Sequence, residues 1–155
     1  MWDEQAPGEL LAEARDGLLA QGDREAAAEA EARLGLLASW QGQGERAIEH
    51  SRRAVALLQD AGPSPAKAYA LARLAQDHSL LVEPAEAIQV GRQALALAER
   101  LGLPKARLWA LEAIGLARVL AVSSAASPTS NRPSTLGSST TSRPARSPTT
   151  TWQAS

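Results

Sequence analysis

The sequence predicts an all-α protein, an α-α superhelix of stacked antiparallel helix pairs, followed by a disordered C-terminal tail. Three observations predict it. Up to about Ala121 the chain is dominated by Ala, Leu, Glu and Arg, the residues that pay least to enter a helix. Within that stretch the same residue pairs recur forty positions apart. Gly and Pro are concentrated between the periodic segments, where chains turn.

The recurrence is specific. Leu34-Gly35, Leu74-Ala75 and Ile114-Gly115 stand forty apart, as do Ala47-Ile48 and Ala87-Ile88, and Ala54 and Ala94. A fixed period of this length is the mark of a repeat array, in which each unit buries its apolar face only against its neighbours. Aromatic residues make up 3% of the 155-residue chain and Phe is absent, so packing has to come from Ala and Leu. Small side chains of that kind suit helices that approach closely.

The elements follow in order. A first helix is predicted from about Gly8 to Ala20, and a second over Asp23 to Gln41. Gly42 and Gly44 separate it from a third, Gly44 to Ala61, whose apolar residues Ala47, Ile48, Ala54, Val55, Leu57 and Leu58 recur at helical spacing. Gly62-Pro63-Ser64-Pro65 divides the units and opens a fourth helix, Ser64 to Val82. Pro84 begins a fifth, running to Leu101, because the first turn of a helix needs no amide donor there. Gly102-Leu103-Pro104 leads into a sixth, Pro104 to about Ala121. The helices alternate between two kinds. Residues 1–22 read as a partial repeat holding only a second helix, since Ala14 lies forty before Ala54. Residues 23–121 read as repeats, the last of which has only its first helix. Both ends are therefore expected to be uncapped.

From Val122 to Ser155 the composition changes to Ser, Thr, Pro and Arg, with no Asp, Glu or Lys. Such a segment cannot bury enough apolar surface to offset the entropy of ordering, so 122–155 is expected to be disordered. Its abrupt start inside a helix suggests translation out of frame. Codons compatible with Ala126 to Thr135, re-read from their third base, encode Ile-Ala-Asp-Leu-Glu-Gln-Ala-Ile-Asp, a helix of the same repeat type. Sequencing the gene tests this.

The pattern of a large then a small residue in the first helix, with small residues at two points in the second, resembles the tetratricopeptide repeat family. It is carried by Leu34-Gly35 with Ala47 and Ala54, by Leu74-Ala75 with Ala87 and Ala94, and by Ile114-Gly115 in the last first helix. The unit of forty exceeds the usual ~34 residues and is similar to the arrays of large bacterial ATP-binding, cyclase-like and transcriptional regulators. The resemblance implies a noncatalytic protein-interaction scaffold within a larger signalling protein, with a protein or peptide as partner. It also implies a concave groove lined by the first helices: Glu29, Ala32, Leu36 and Ser39, then Tyr69, Ala72, Gln76 and Ser79, then Trp109, Glu112 and Leu116. Basic and Asn residues that clamp a peptide carboxylate in some members are missing there, so an apolar-lined groove for a helix or extended peptide is expected instead.

Other classes find little support. A net charge of −1 without a basic stripe argues against nucleic acid. Without Cys there is no disulfide framework or thiolate chemistry, and His50 and His78 stand at no metal-binding spacing, so no cofactor is expected. No run of about 18 uninterrupted apolar residues occurs, so no membrane span is expected, and a cytoplasmic protein is the default. Asp77, His78 and Ser79 have the residue types of a triad, but helix neighbours point about 100° apart and cannot converge. His50 beside Glu49, and the mixed charges Glu9, Glu13, Arg15, Arg24, Glu25, Glu29, Glu31 and Arg33, read as solvated faces. His78 reads as a packing residue and Trp40 as a cover over a repeat interface. A ligand-sensing regulatory domain is the alternative, and a decayed frame without function a third. Uncapped ends expose apolar faces, so self-association and a broad thermal transition are expected.

Overall fold

The computed structural model describes residues 6–126, and these form six α-helices. They are α1 (Ala6–Ala20), α2 (Arg24–Trp40), α3 (Gly44–Leu57), α4 (Pro65–Leu80), α5 (Pro84–Leu101) and α6 (Pro104–Ala126). Helices α2 and α3 make one antiparallel pair and α4 and α5 the next. α1 packs on α2, while α6 packs on both α4 and α5. The first helices α2, α4 and α6 line up along one side, as an α-α superhelix requires.

Helix starts follow local chemistry. Asp23 accepts the Ala26 amide at 3.0 Å and Ser64 accepts that of Lys67 at 3.2 Å, satisfying donors the first turn leaves free. Pro65, Pro84 and Pro104 each open a helix. The turns after α1, α2 and α4 share one hydrogen-bond pattern: Asp23 N to Leu18 O, Gln43 N to Ala38 O and Glu83 N to His78 O. The residue that makes this turn possible has positive φ, Gly22 at 77° and Gly42 at 72°, but Val82 at 60° in the third.

Two helix ends differ from the sequence expectation by more than two residues. α3 stops at Leu57, earlier than Ala61, and the Lys67 ammonium donates to Gln59 O and Ala61 O at 2.9 Å, fastening the non-helical segment. α6 runs past Ala121 to Ala126, because a change to Val, Ser and Ala contains no helix breaker before Pro128. The rest of the tail, and with it the out-of-frame reading of most of 122–155, lies outside the described residues. By length and composition α6 could cross a membrane, with a mean hydropathy of 1.5 over its most apolar stretch. Glu112 and Arg118 lie within the helix, one side of which is packed on its neighbours.

The core is built of alanines. Ala54, Ala68, Ala72, Ala75, Ala87, Ala94, Ala98, Ala106 and Ala110 have no exposed surface, and Leu58 and Leu71 fill the space between units. Of the packing residues expected from the repeat, Leu34, Gly35, Ala47, Ala54, Leu74, Ala75, Ala87, Ala94 and Ile114 are buried. Gly115 is the correction: it is exposed, and a Cβ built there would meet nothing. At the same register, a Cβ on Gly35 would lie 3.1 Å from the Ala47 carbonyl oxygen of the paired α3. Gly115 has no such paired helix among the described residues.

Candidate functional site

The groove residues lie on one face of α2, α4 and α6, and the structure sorts them into three groups. At the N-terminal ends of α4 and α6, Tyr69 and Trp109 meet edge to face, ring centroids 5.7 Å apart at 70°. Both are half-buried, and Lys105 Nζ sits 4.8 Å over the Trp109 ring. Their forty-residue spacing is what brings them together.

Near the C-terminal end of α4 and the middle of α6 a shallow, open depression lies between the two helices. Arg73, Gln76 and Leu80 form one wall, Glu112 and Leu116 the other, and Ser79 and Ala113 its floor. Leu80 is 67% exposed and Leu116 43%, so apolar surface is available beside one cation and one carboxylate. Arg73 and Leu80 were not foreseen. The repeat could have found Leu80, which stands four residues beyond Gln76 and forty beyond Trp40.

Ser79 contributes no free hydroxyl. It is buried, 3.0 Å from both Ala75 O and Ala113 O, and its proton ties α4 to the α6 backbone. Ser39 is likewise engaged, accepting from Arg73 Nη2 at 2.7 Å across α2 and α4. Glu29 is exposed and pairs with Arg33 one turn on, away from the depression.

Arg73 also pairs with Asp77, Nη2 to Oδ1 at 3.1 Å, and Ser51 of α3 donates to Asp77 Oδ2 at 2.5 Å. Asp77 is 2% exposed, so this carboxylate joins α3 to α4 from the inside, and Arg73 extends the link to Ser39 of α2. Arg73 Nε and Asp77 Oδ1 are both buried without a hydrogen-bond partner, so the two side chains meet as an ionic contact rather than a hydrogen bond. His78 is buried with Nδ1 2.6 Å from Glu83 Oε2. Asp77, His78 and Ser79 thus point to three separate partners.

Three expectations need correction. His50 and Glu31 do not sit on a solvated face: Glu31 is 3% exposed, its Oε2 2.6 Å from His50 Nδ1 and its Oε1 3.0 Å from Arg15 Nη1. Burial works against the Arg15 charge, but hydrogen bonds to Asp16 and Glu31 outweigh it and raise its pKa above the ordinary arginine value. The missed signal was register, since residues 71 and 111, forty and eighty beyond Glu31, are both Leu. Trp40 covers no interface; as the last residue of α2 it is 76% exposed, and the α4 residue at its register, Leu80, does not close over it.

Among the described residues no three His, Asp or Glu side chains gather as a metal set. Residues 26–100 match the family model described as tetratricopeptide repeat, the stretch from α2 through nearly all of α5. Comparison with curated proteins finds no match.

Proposed function

Residues 26–100 being tetratricopeptide repeats, a family that mediates protein–protein interaction, we propose that this chain binds a polypeptide segment along the face shared by α2, α4 and α6. The observation that carries the reading is the depression between α4 and α6, where exposed Leu80 and Leu116 flank Arg73, Gln76 and Glu112. Apolar anchors spaced along neighbouring helices, with a charge of each sign between them, suit a helical or extended peptide that inserts one or two large side chains. The wider role is a noncatalytic arm of a larger cytoplasmic signalling or regulatory protein of bacterial type, a reading supported by the forty-residue unit.

A peptide library selected on the chain tests the groove. Leu80→Asp and Leu116→Asp should each weaken the selected peptides at least about tenfold, as loss of a central apolar anchor does. Arg53→Glu, on the exposed side of α3, should leave binding unchanged. Peptides that bind equally well to the two Asp variants would place the site elsewhere.

A further inference from the structure

The two outermost described helices each leave one face open, and the faces are complementary. On α6, Leu108, Leu111, Gly115 and Val119 form a stripe at helical spacing, exposed by 54%, 42% and 63% at the three large residues. In the complete units those positions are closed by the paired second helix. Ala28 and Ala68 are 2% and 0% exposed, Glu31 and Leu71 are 3% and 7%, and Gly35 and Ala75 are buried, whereas Ser79, at the Val119 register, is closed by α6. On α1, Ala14 is exposed where Ala54 and Ala94 are fully buried, and Leu10 is 66% exposed where His50 and Val90 are half-buried. Among the described residues nothing lies over either face.

We propose that α1 of one copy docks on α6 of the next as α3 docks on α2 and α5 on α4, joining chains head to tail into a continuous superhelix. Register supplies the contacts. Leu111 falls opposite Leu10 and Ala14, as Leu71 lies in one cluster with Val90 and Ala94. Gly115 falls under Leu10 and Leu11, as Gly35 lies under His50 and Ser51 with virtual Cβ distances of 3.3 and 3.5 Å. Volume is exchanged across the junction: Leu108 stands where Ala28 and Ala68 stand, and Gly17 stands where Leu57 and Leu97 pack against those alanines. Charge agrees, since α1 carries Glu9, Glu13 and Asp16 against Arg15, and α6 carries Lys105, Arg107 and Arg118 against Glu112. The junction continues the interface already present twice inside the chain. It is heterologous, so it propagates rather than closing on a dimer.

The experiment is light scattering and sedimentation of the full chain over a dilution series, with Leu10→Arg, Ala14→Arg and Leu111→Asp. The wild type should grow in mass with concentration, less so at high salt, which screens the opposed helices. Each variant alone should stay monomeric while its far-ultraviolet circular dichroism matches the wild type, because Leu10 and Ala14 are exposed in the single chain. Leu10→Arg keeps a sound α6 and Leu111→Asp a sound α1, so mixing the two should give a one-to-one dimer that grows no further. A wild-type monomer at every concentration overturns the proposal. So does association that persists in both α1 variants, which would mean α6 pairs with itself, or binding of α6 to phosphatidylcholine vesicles without self-association.

Discussion

Glu31 and His50 meet 2.6 Å apart inside the array, at the register where the next unit sets Leu71 against Val90. One repeat thus solves a single packing position with a hydrogen-bonded contact, backed by the Arg15–Glu31 ion pair, and the other with two aliphatic side chains. A buried carboxylate needs every partner it has, whereas aliphatic contacts need only volume.

The two solutions should be interchangeable only together. Glu31→Ala leaves His50 and Arg15 facing a cavity and should cost about 3 kcal/mol in urea unfolding, in the range for breaking a buried pair. Glu31→Leu with His50→Val copies the second unit, and Arg15 retains Asp16 at 2.8 Å. That double variant should lie within about 1 kcal/mol of the wild type, or above it. Equal losses in both proteins would show that the aliphatic geometry does not transfer between units.

Two helical glycines, Gly91 of α5 and Gly115 of α6, should respond with opposite signs. A Cβ on Gly91 would come 2.7 Å from Ile114 Cγ1, in the middle of a buried side chain. Gly91→Ala should therefore destabilise by about 1–2 kcal/mol, overpacking exceeding the gain in helix propensity. Gly115→Ala meets nothing and should stabilise by about 0.5–1 kcal/mol. The chemical denaturation midpoints of the two variants should bracket that of the wild type.

The forty-residue spacing made the helix pairs and the alanine core legible, because Leu34-Gly35 and Leu74-Ala75 are dictated by how closely paired helices approach. Pro65, Pro84 and Pro104 announced their helices in the same way. Residue type misled where register should have governed. Glu31 and His50 were read as wet because they are charged or polar, although Leu71 and Leu111 mark the position as internal. Ser79 does lie on the floor of the depression, yet its hydroxyl is absorbed by a neighbouring helix backbone, which periodicity does not reveal. Trp40 failed for the reverse reason: a large apolar residue at the very end of a helix lies beyond the reach of the next unit. The end of α6 was misplaced because composition changes at Val122 while helix-breaking chemistry begins only at Pro128.

Asp77 should prove the tightest link between the units. Its side chain takes Ser51 of α3 and Arg73 of α4, and Arg73 in turn reaches Ser39 of α2. Asp77→Ala removes the carboxylate paired with Arg73 and should cost about 3 kcal/mol. Ser51→Ala leaves the Arg73 pair in place and should cost about 1 kcal/mol. Amide exchange gives the finer readout: in Asp77→Ala, α3 should lose more protection than α5, because the broken contact lies between α3 and α4. Uniform loss along the chain would mean that Asp77 supports the fold without joining those two helices.

Val82 carries backbone strain that its counterparts avoid. In the turns after α1 and α2, Gly22 and Gly42 take φ of 77° and 72°, but after α4 a β-branched residue takes 60° with the same hydrogen bonds around it. For an L-residue the left-handed conformation costs about 1–2 kcal/mol, the β-carbon crowding the carbonyl that follows. Val82 is 59% exposed, so replacing it sacrifices little burial. Glycine gives back part of the gain by widening the unfolded ensemble, by about 0.4–1 kcal/mol. Val82→Gly should thus stabilise the chain by about 0.5–1 kcal/mol, and Val82→Asn should stabilise it too, since Asn tolerates the left-handed region. Val82→Ala, which keeps the β-carbon, should recover little. The three midpoints measured side by side separate strain from burial: a gain in Val82→Ala equal to that in Val82→Gly would locate the cost in the branched side chain rather than in the backbone.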